Sequence, residues 1–258
     1  MNEIASTCSV CPRLCRPACP VAVGTGREAA TPTAIAGVLV DHQRGHADAA
    51  LVADALALCV DCGRCQDHCH LHQPLPELLR VARIAHLTPP APEPLGVVPD
   101  GAGDVVVETD ERPLAAAVAF RLGRPTRAVR TADGLGGHAV GYPAFDEHAA
   151  RLRAAFGGVT VWTAHGGVRD ALRAAGVDTR DVAELLDDAP PATCGVGVPG
   201  CCGARGPIVW AAPDDARLVA ASYLAHGGAR SLRDARCASH LRALAPDVRD
   251  VVDRLTEA

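Results

Sequence analysis

Twelve cysteines in 258 residues are the side chains best able to do chemistry, and eight of them lie between Cys8 and Cys69. The first run reads Cys8-x2-Cys11-x3-Cys15-x3-Cys19-Pro20, and the second Cys59-x2-Cys62-x2-Cys65-x3-Cys69. A loop with a cysteine at every third or fourth position sets three thiolates around three corners of a [4Fe–4S] cube. In two-cluster ferredoxins the fourth cysteine of each run ligates the other cube. By that logic Cys8, Cys11 and Cys15 share one cube with Cys69, while Cys59, Cys62 and Cys65 share the other with Cys19. Two self-contained runs would use the same eight ligands. Gly63 removes a side chain where backbone N–H groups must approach sulfide, and Pro20 turns the chain away after Cys19. Two structural zinc sites would also consume eight thiolates. Zinc sites, however, usually pair two Cys-x-x-Cys knuckles across a gap, whereas four closely spaced cysteines, twice over, fit cubes better.

His68, His70, His72 and His86 crowd the second run, but their spacing reproduces no metal site and reads as a solvated face. Gly134-Leu135-Gly136-Gly137 lacks the spacing of a nucleotide-binding loop and reads as a turn.

The elements that must carry these residues fall into two parts. The run 88–103 holds Pro89, Pro90, Pro92, Pro94 and Pro99 with Gly101 and Gly103; so much proline continues neither a helix nor a central strand. It reads as a linker between a domain at 1–87 and one at 104–258. Before it, 48–58 and 76–84 read as helices, Pro76 suiting a first helical turn. After it strand and helix alternate. Strands are expected at 105–107, 127–130, 159–162 and 208–210. Helices are expected at 113–121, 147–156, 168–175 with Gly176 closing the last turn, and 213–226. Such alternation predicts an α/β domain with a largely parallel sheet. The whole chain is then an α+β multidomain protein.

Composition bounds the partners. The formal charge of −5, with charged residues at 21%, offers no basic field for nucleic acid. No transmembrane segment is expected, because no run approaches the ~18 apolar residues of a membrane-spanning helix. The N-terminus has neither a basic nor an apolar signal region. A cytoplasmic protein is the expectation, in which thiols stay reduced and cysteines serve as metal ligands in preference to disulfides.

The segment Cys8-Ser9-Val10-Cys11-Pro12-Arg13-Leu14-Cys15-Arg16-Pro17-Ala18-Cys19-Pro20 is similar to the start of heterodisulfide-reductase-related (Fe–S)-binding proteins. The similarity continues through Gly26-Arg27-Glu28, Thr31-Pro32 and Cys59-Val60-Asp61-Cys62-Gly63-Arg64-Cys65. The same group includes iron–sulfur subunits of glycolate oxidase and anaerobic glycerol-3-phosphate dehydrogenase. The resemblance covers residues 8–86 closely. It implies an N-terminal α-helical two-cluster ferredoxin domain relaying electrons between a flavoprotein or thiol partner and a quinone or other carrier. Peripheral membrane association would then come through a partner.

Cys201-Cys202-Gly203, followed by Cys237, resembles the cysteine-rich CCG module of that family. Here His240 stands where a last cysteine falls, and Cys194 is the nearest upstream cysteine. Three readings stay open. Cys194, Cys201, Cys202 and Cys237 with His240 hold a third metal centre, or Cys201 and Cys202 form a thiol-reducing site, or the cysteines are small buried remnants.

Overall fold

The computed structural model describes residues 3–12, 14–59, 62–88, 98, 100–108, 112–131, 135, 140, 142–143, 145–187, 221, 231–232, 242 and 244–256. The expected strand at 208–210 and, apart from Ala221, the expected helix at 213–226 lie outside them. Among the described residues the chain is a mixture of helices and a parallel sheet, divided into two compact units, the first reaching from the N-terminus to Thr88.

The first unit is helical. Its elements are α1 (Glu3–Val10), α2 (Pro20–Thr25), α3 (Pro32–Gln43), α4 (Ala49–Ala57), α5 (Arg64–Asp67) and α6 (Leu75–His86). Local chemistry starts and stops them. Thr31 accepts the N–H of Ala34 at 3.2 Å, with Pro32 in the first turn of α3; a hydroxyl cap and a proline there fill the usual donor gap of a helix start. Asp48 does the same for α4, accepting from Leu51 N–H at 2.8 Å. Gly26, at φ +70°, ends α2 in the left-handed conformation that favours glycine. Helices α1 and α4 each pack against α3 and α6. Ile35, Leu39, Val52, Leu56, Leu75 and Leu79 form the core between them.

The expected helices at 48–58 and 76–84 correspond to α4 and α6. Beyond its Thr31-Pro32 start, helix α3 carries no periodic signal, because Ala34–Val40 is almost continuously apolar.

The second unit holds a four-stranded parallel sheet in the order β2-β1-β3-β4, from β1 (Asp104–Glu108), β2 (Thr126–Arg130), β3 (Val161–Thr163) and β4 (Thr179–Asp181). In register, Val106 lies beside Ala128 on one side and Trp162 on the other. Both faces are covered, as parallel sheets require. Val105, Val107 and Val161 pack with α8 (Phe145–Phe156) and α9 (Gly166–Ala174). Val106 and Trp162 pack with α7 (Leu114–Leu122) and α10 (Val251–Thr256). The alternation of neighbouring β1 residues between faces follows from the two-residue period of a strand. A short parallel pair joins β5 (Ser231–Leu232) to β6 (Arg249–Asp250).

Buried carboxylates in this unit are paired. Asp104 accepts Trp162 Nε1–H at 2.7 Å and Arg124 Nη2–H at 2.6 Å. Glu108 accepts the N–H of Ala115 at 2.9 Å in the first turn of α7. Ahead of β1, Gly103 takes φ +105°, and a Cβ there would collide with the Pro125 carbonyl oxygen, so only glycine fits.

Two phenylalanines calibrate this packing. Phe156 is fully buried and Phe120 is 76% exposed. Phe156→Ala should cost about 3–5 kcal/mol of unfolding free energy, and Phe120→Ala should stay within about 0.5 kcal/mol. Chemical denaturation followed by far-ultraviolet circular dichroism measures both.

Candidate metal centre

All eight N-terminal cysteines are partly buried thiols outside any disulfide. Cys8 lies in the last part of α1 instead of in a loop, and the N–H of Cys11 bonds its carbonyl at 3.4 Å. Cys15 and Cys19 bracket the single turn Arg16–Ala18, with Cys19 N–H donating to the Arg16 carbonyl at 3.1 Å. That turn is clipped to the neighbouring segment by Arg16 Nε–H donating to Glu28 at 2.7 Å.

Cys59 follows α4 and donates its N–H to the Leu56 carbonyl at 3.1 Å. The same carbonyl accepts Arg83 Nη2–H from α6 at 3.0 Å, so one oxygen ties the second run to two helices. Gly63 sits at φ +78° immediately before α5. Its glycine identity therefore serves a left-handed turn, a requirement beyond the close approach expected from the sequence. Cys65 lies on α5, and Cys69 follows it with its N–H on the Gln66 carbonyl at 3.1 Å.

The thiols fall into two neighbourhoods that mix the runs. Cys8 is within electrostatic reach of Cys69, Cys15 and Cys11. Cys65 is within reach of Cys59, Cys62, Cys15 and Cys19. Cys15 is within electrostatic reach of Cys11 and Cys69, and also of Cys19 in the second neighbourhood. Cys19, Cys59, Cys62 and Cys65 line one hollow whose walls include Ile35, Pro76 and Leu79. Among the described residues no three Cys, His, Asp or Glu side chains are drawn in tightly enough to hold a single ion.

Burial sets the protonation of these groups. It pushes the Cys19 thiol up to about 11, against the opposing pull of the Ala22 and Val21 N–H groups at the start of α2. Cys8 is likewise pushed up to about 11 by burial and then by Cys69. Cys65 is raised by burial and by Cys59. Cys15 is raised by burial, against the pull of its own backbone N–H and then of the Thr33 hydroxyl. A cationic core would reverse this preference by making each sulfur a thiolate. The donors suit iron–sulfur chemistry: soft sulfur ligands, apolar walls, and N–H groups of α2 facing Cys19 sulfur.

His68, His70 and His72 are exposed, while His86 packs edge-on against His42 at 5.0 Å. The Gly134–Gly137 turn and the C-terminal set Cys194, Cys201, Cys202, Cys237 and His240 lie outside the described residues, apart from Leu135. Sequence reasoning missed Thr33 and Arg83 beside the site. Neither carries a spacing signal, because each reaches the cysteines only through helix packing.

Comparison with protein-family models, curated proteins and solved structures found no match.

The raised thiols fix a sign for the metal-free protein. A folded-state pKa above that of the unfolded chain contributes stability that is present at low pH and lost as the folded group ionises. For Cys8 and Cys19 the loss should run from pH 9.0 to about 11. Urea denaturation of metal-free protein across that window measures it. Cys19→Ser should flatten the slope more than Cys8→Ser, because Cys8 is more open to solvent screening.

Proposed function

We propose that this chain is an iron–sulfur electron carrier holding two [4Fe–4S] cubes. One is ligated by Cys8, Cys11, Cys15 and Cys69, the other by Cys19, Cys59, Cys62 and Cys65. The observation that carries this reading is that Cys69 lies within electrostatic reach of Cys8 and Cys15 in the first run, while Cys19 lines one hollow with Cys59, Cys62 and Cys65 of the second. That is the ligation logic of two-cluster ferredoxins. Cys15 lies within electrostatic reach of both groups, which also favours electron transfer between cubes.

In this reading the first unit is an α-helical ferredoxin domain and the sheet unit is the CCG-like domain of heterodisulfide-reductase-related proteins. The partner is a flavoprotein dehydrogenase or other redox protein, in the cytoplasm or held at a membrane through that partner. Bound cubes would supply one-electron transfer, and the protein would supply burial, N–H···S bonds and orientation. The C-terminal cysteines offer a second role, as a thiol- or heterodisulfide-reducing site or a third metal centre. Among the described residues no helix is long and apolar enough to cross a membrane.

Anaerobic purification with iron, sulfide and zinc analysis tests the central claim. About eight iron and eight sulfide per chain are expected, and zinc without sulfide would sink it. The ligand exchange has its own test. Cys69→Ser and Cys8→Ser should disturb one electron paramagnetic resonance signal, and Cys19→Ser and Cys65→Ser the other. If Cys19→Ser instead follows Cys8→Ser, the runs are self-contained.

A further inference from the structure

The face of α6 that closes the second cysteine hollow continues into a cation. Pro76 and Leu79 line that hollow with Cys19, Cys59, Cys62 and Cys65. Arg83 follows Leu79 by four residues, one turn further along the same face of the helix. Its Nη2–H donates to the Leu56 carbonyl at 3.0 Å, and the same oxygen accepts the Cys59 N–H at 3.1 Å. The guanidinium is thereby fixed against the backbone that presents Cys59, at the rim of the hollow.

This cation lacks an ionic partner. Arg83 is partly buried, and its Nε is fully buried with no hydrogen-bond partner. Among the described residues no carboxylate pairs with it. Arg16, placed between Cys15 and Cys19, is by contrast paired with Glu28 at 2.7 Å. A guanidinium that gives up hydration without a full counter-charge costs stability. The carbonyl at the end of α4 offers only a partial negative charge. The four-cysteine hollow beside it offers a full one once its sulfurs hold a cluster, because a cube bound by four thiolates is a net anion.

We propose that Arg83 is the fixed counter-charge of the second cluster site. It holds Cys59 through the shared carbonyl and raises the reduction potential of the cube ligated by Cys19, Cys59, Cys62 and Cys65. The inference rests on the two-cube reading. Net charge and solvent exposure set cluster potentials, and a cation half withdrawn from water acts on its neighbours more strongly than a hydrated one. On reduction, one electron from an external reductant enters the site and adds one negative charge. No bond forms or breaks, and Arg83 keeps its proton. The reduced state gains more from the cation than the oxidised state, so the equilibrium moves towards reduction. Arg83 shares its acceptor with the second run, so the second cube carries the larger shift.

Two substitutions separate charge from hydrogen bonding. Arg83→Gln removes the charge and keeps an N–H donor for the Leu56 carbonyl, whereas Arg83→Lys keeps the charge. Each protein is loaded anaerobically, its iron and sulfide are counted, and it is titrated with redox mediators. Electron paramagnetic resonance follows both cubes, the second assigned by the signal that Cys65→Ser disturbs. Arg83→Gln should lower the reduction equilibrium of the second cube about tenfold, about 59 mV for one electron, and that of the first by less. Arg83→Lys should stay near wild type. An unshifted second cube in loaded Arg83→Gln, equal shifts in both cubes, or a lysine variant that falls as far as the glutamine one would overturn the inference. Each of these leaves the two-cube reading standing. Should Arg83→Gln fail to load, Arg83→Met asks the same question, because its unbranched apolar chain keeps the packing of the arginine stem. If neither holds the second cube, Arg83 serves assembly alone and the claim on potential fails. Wild-type protein without iron and sulfide would remove the two-cube reading first, and this inference with it.

Discussion

Burial beside an apolar helix core holds the Cys8, Cys15, Cys19 and Cys65 thiols against ionisation. Each loses hydration when charged, and neighbouring thiolates oppose it further. Cys65, packed against the core that holds Leu56 and Leu79, is raised by burial and then by the thiols around it. The same surroundings that penalise a bare thiolate favour a cationic core placed among the sulfurs, because in a medium of low polarity the attraction between unlike charges is strengthened. In the proposed two-cube reading, the fold and the ligation chemistry would answer the same constraint.

The helices meet that constraint by dividing the labour. Caps at Thr31 and Asp48 and the left-handed turn at Gly63 decide where chain direction changes. The apolar faces of α3, α4 and α6 then bring the changes of direction together at the cysteines. One carbonyl, that of Leu56, receives both the Cys59 N–H and the Arg83 guanidinium. A cation at the end of α4 is also favourable against the partial negative charge there. The position of Cys59 therefore depends on a side chain 24 residues later in the chain.

The sheet unit obeys different rules. Its strands are short and covered on both faces, and its buried carboxylates serve the scaffold. Asp104 ties β1 to β3 through the Trp162 indole, and Arg169 on α9 pairs with Asp181 of β4 at 2.7 Å. Strand β4 escaped sequence reading because Thr179–Asp181 is three residues long, polar and exposed at its centre. Strand β3 begins at Val161, later than its apolar run implies, because pairing starts where Val161 N–H meets the Asp178 carbonyl. Strands β1 and β2 and helices α7, α8 and α9 were legible, since apolar runs and glycine stops mark them.

By itself the sequence determined the identity of the eight candidate ligands, the helices that flank the second run and the alternating order of the second unit. Those features rest on spacing, turn chemistry and apolar period, all local to the chain. Only the tertiary structure decided which thiols become neighbours across the two runs, that Cys8 rides on a helix, and that Thr33 and Arg83 stand beside them. Such contacts arise where helix faces pack, and a packed face joins residues whose sequence distance leaves no periodic trace.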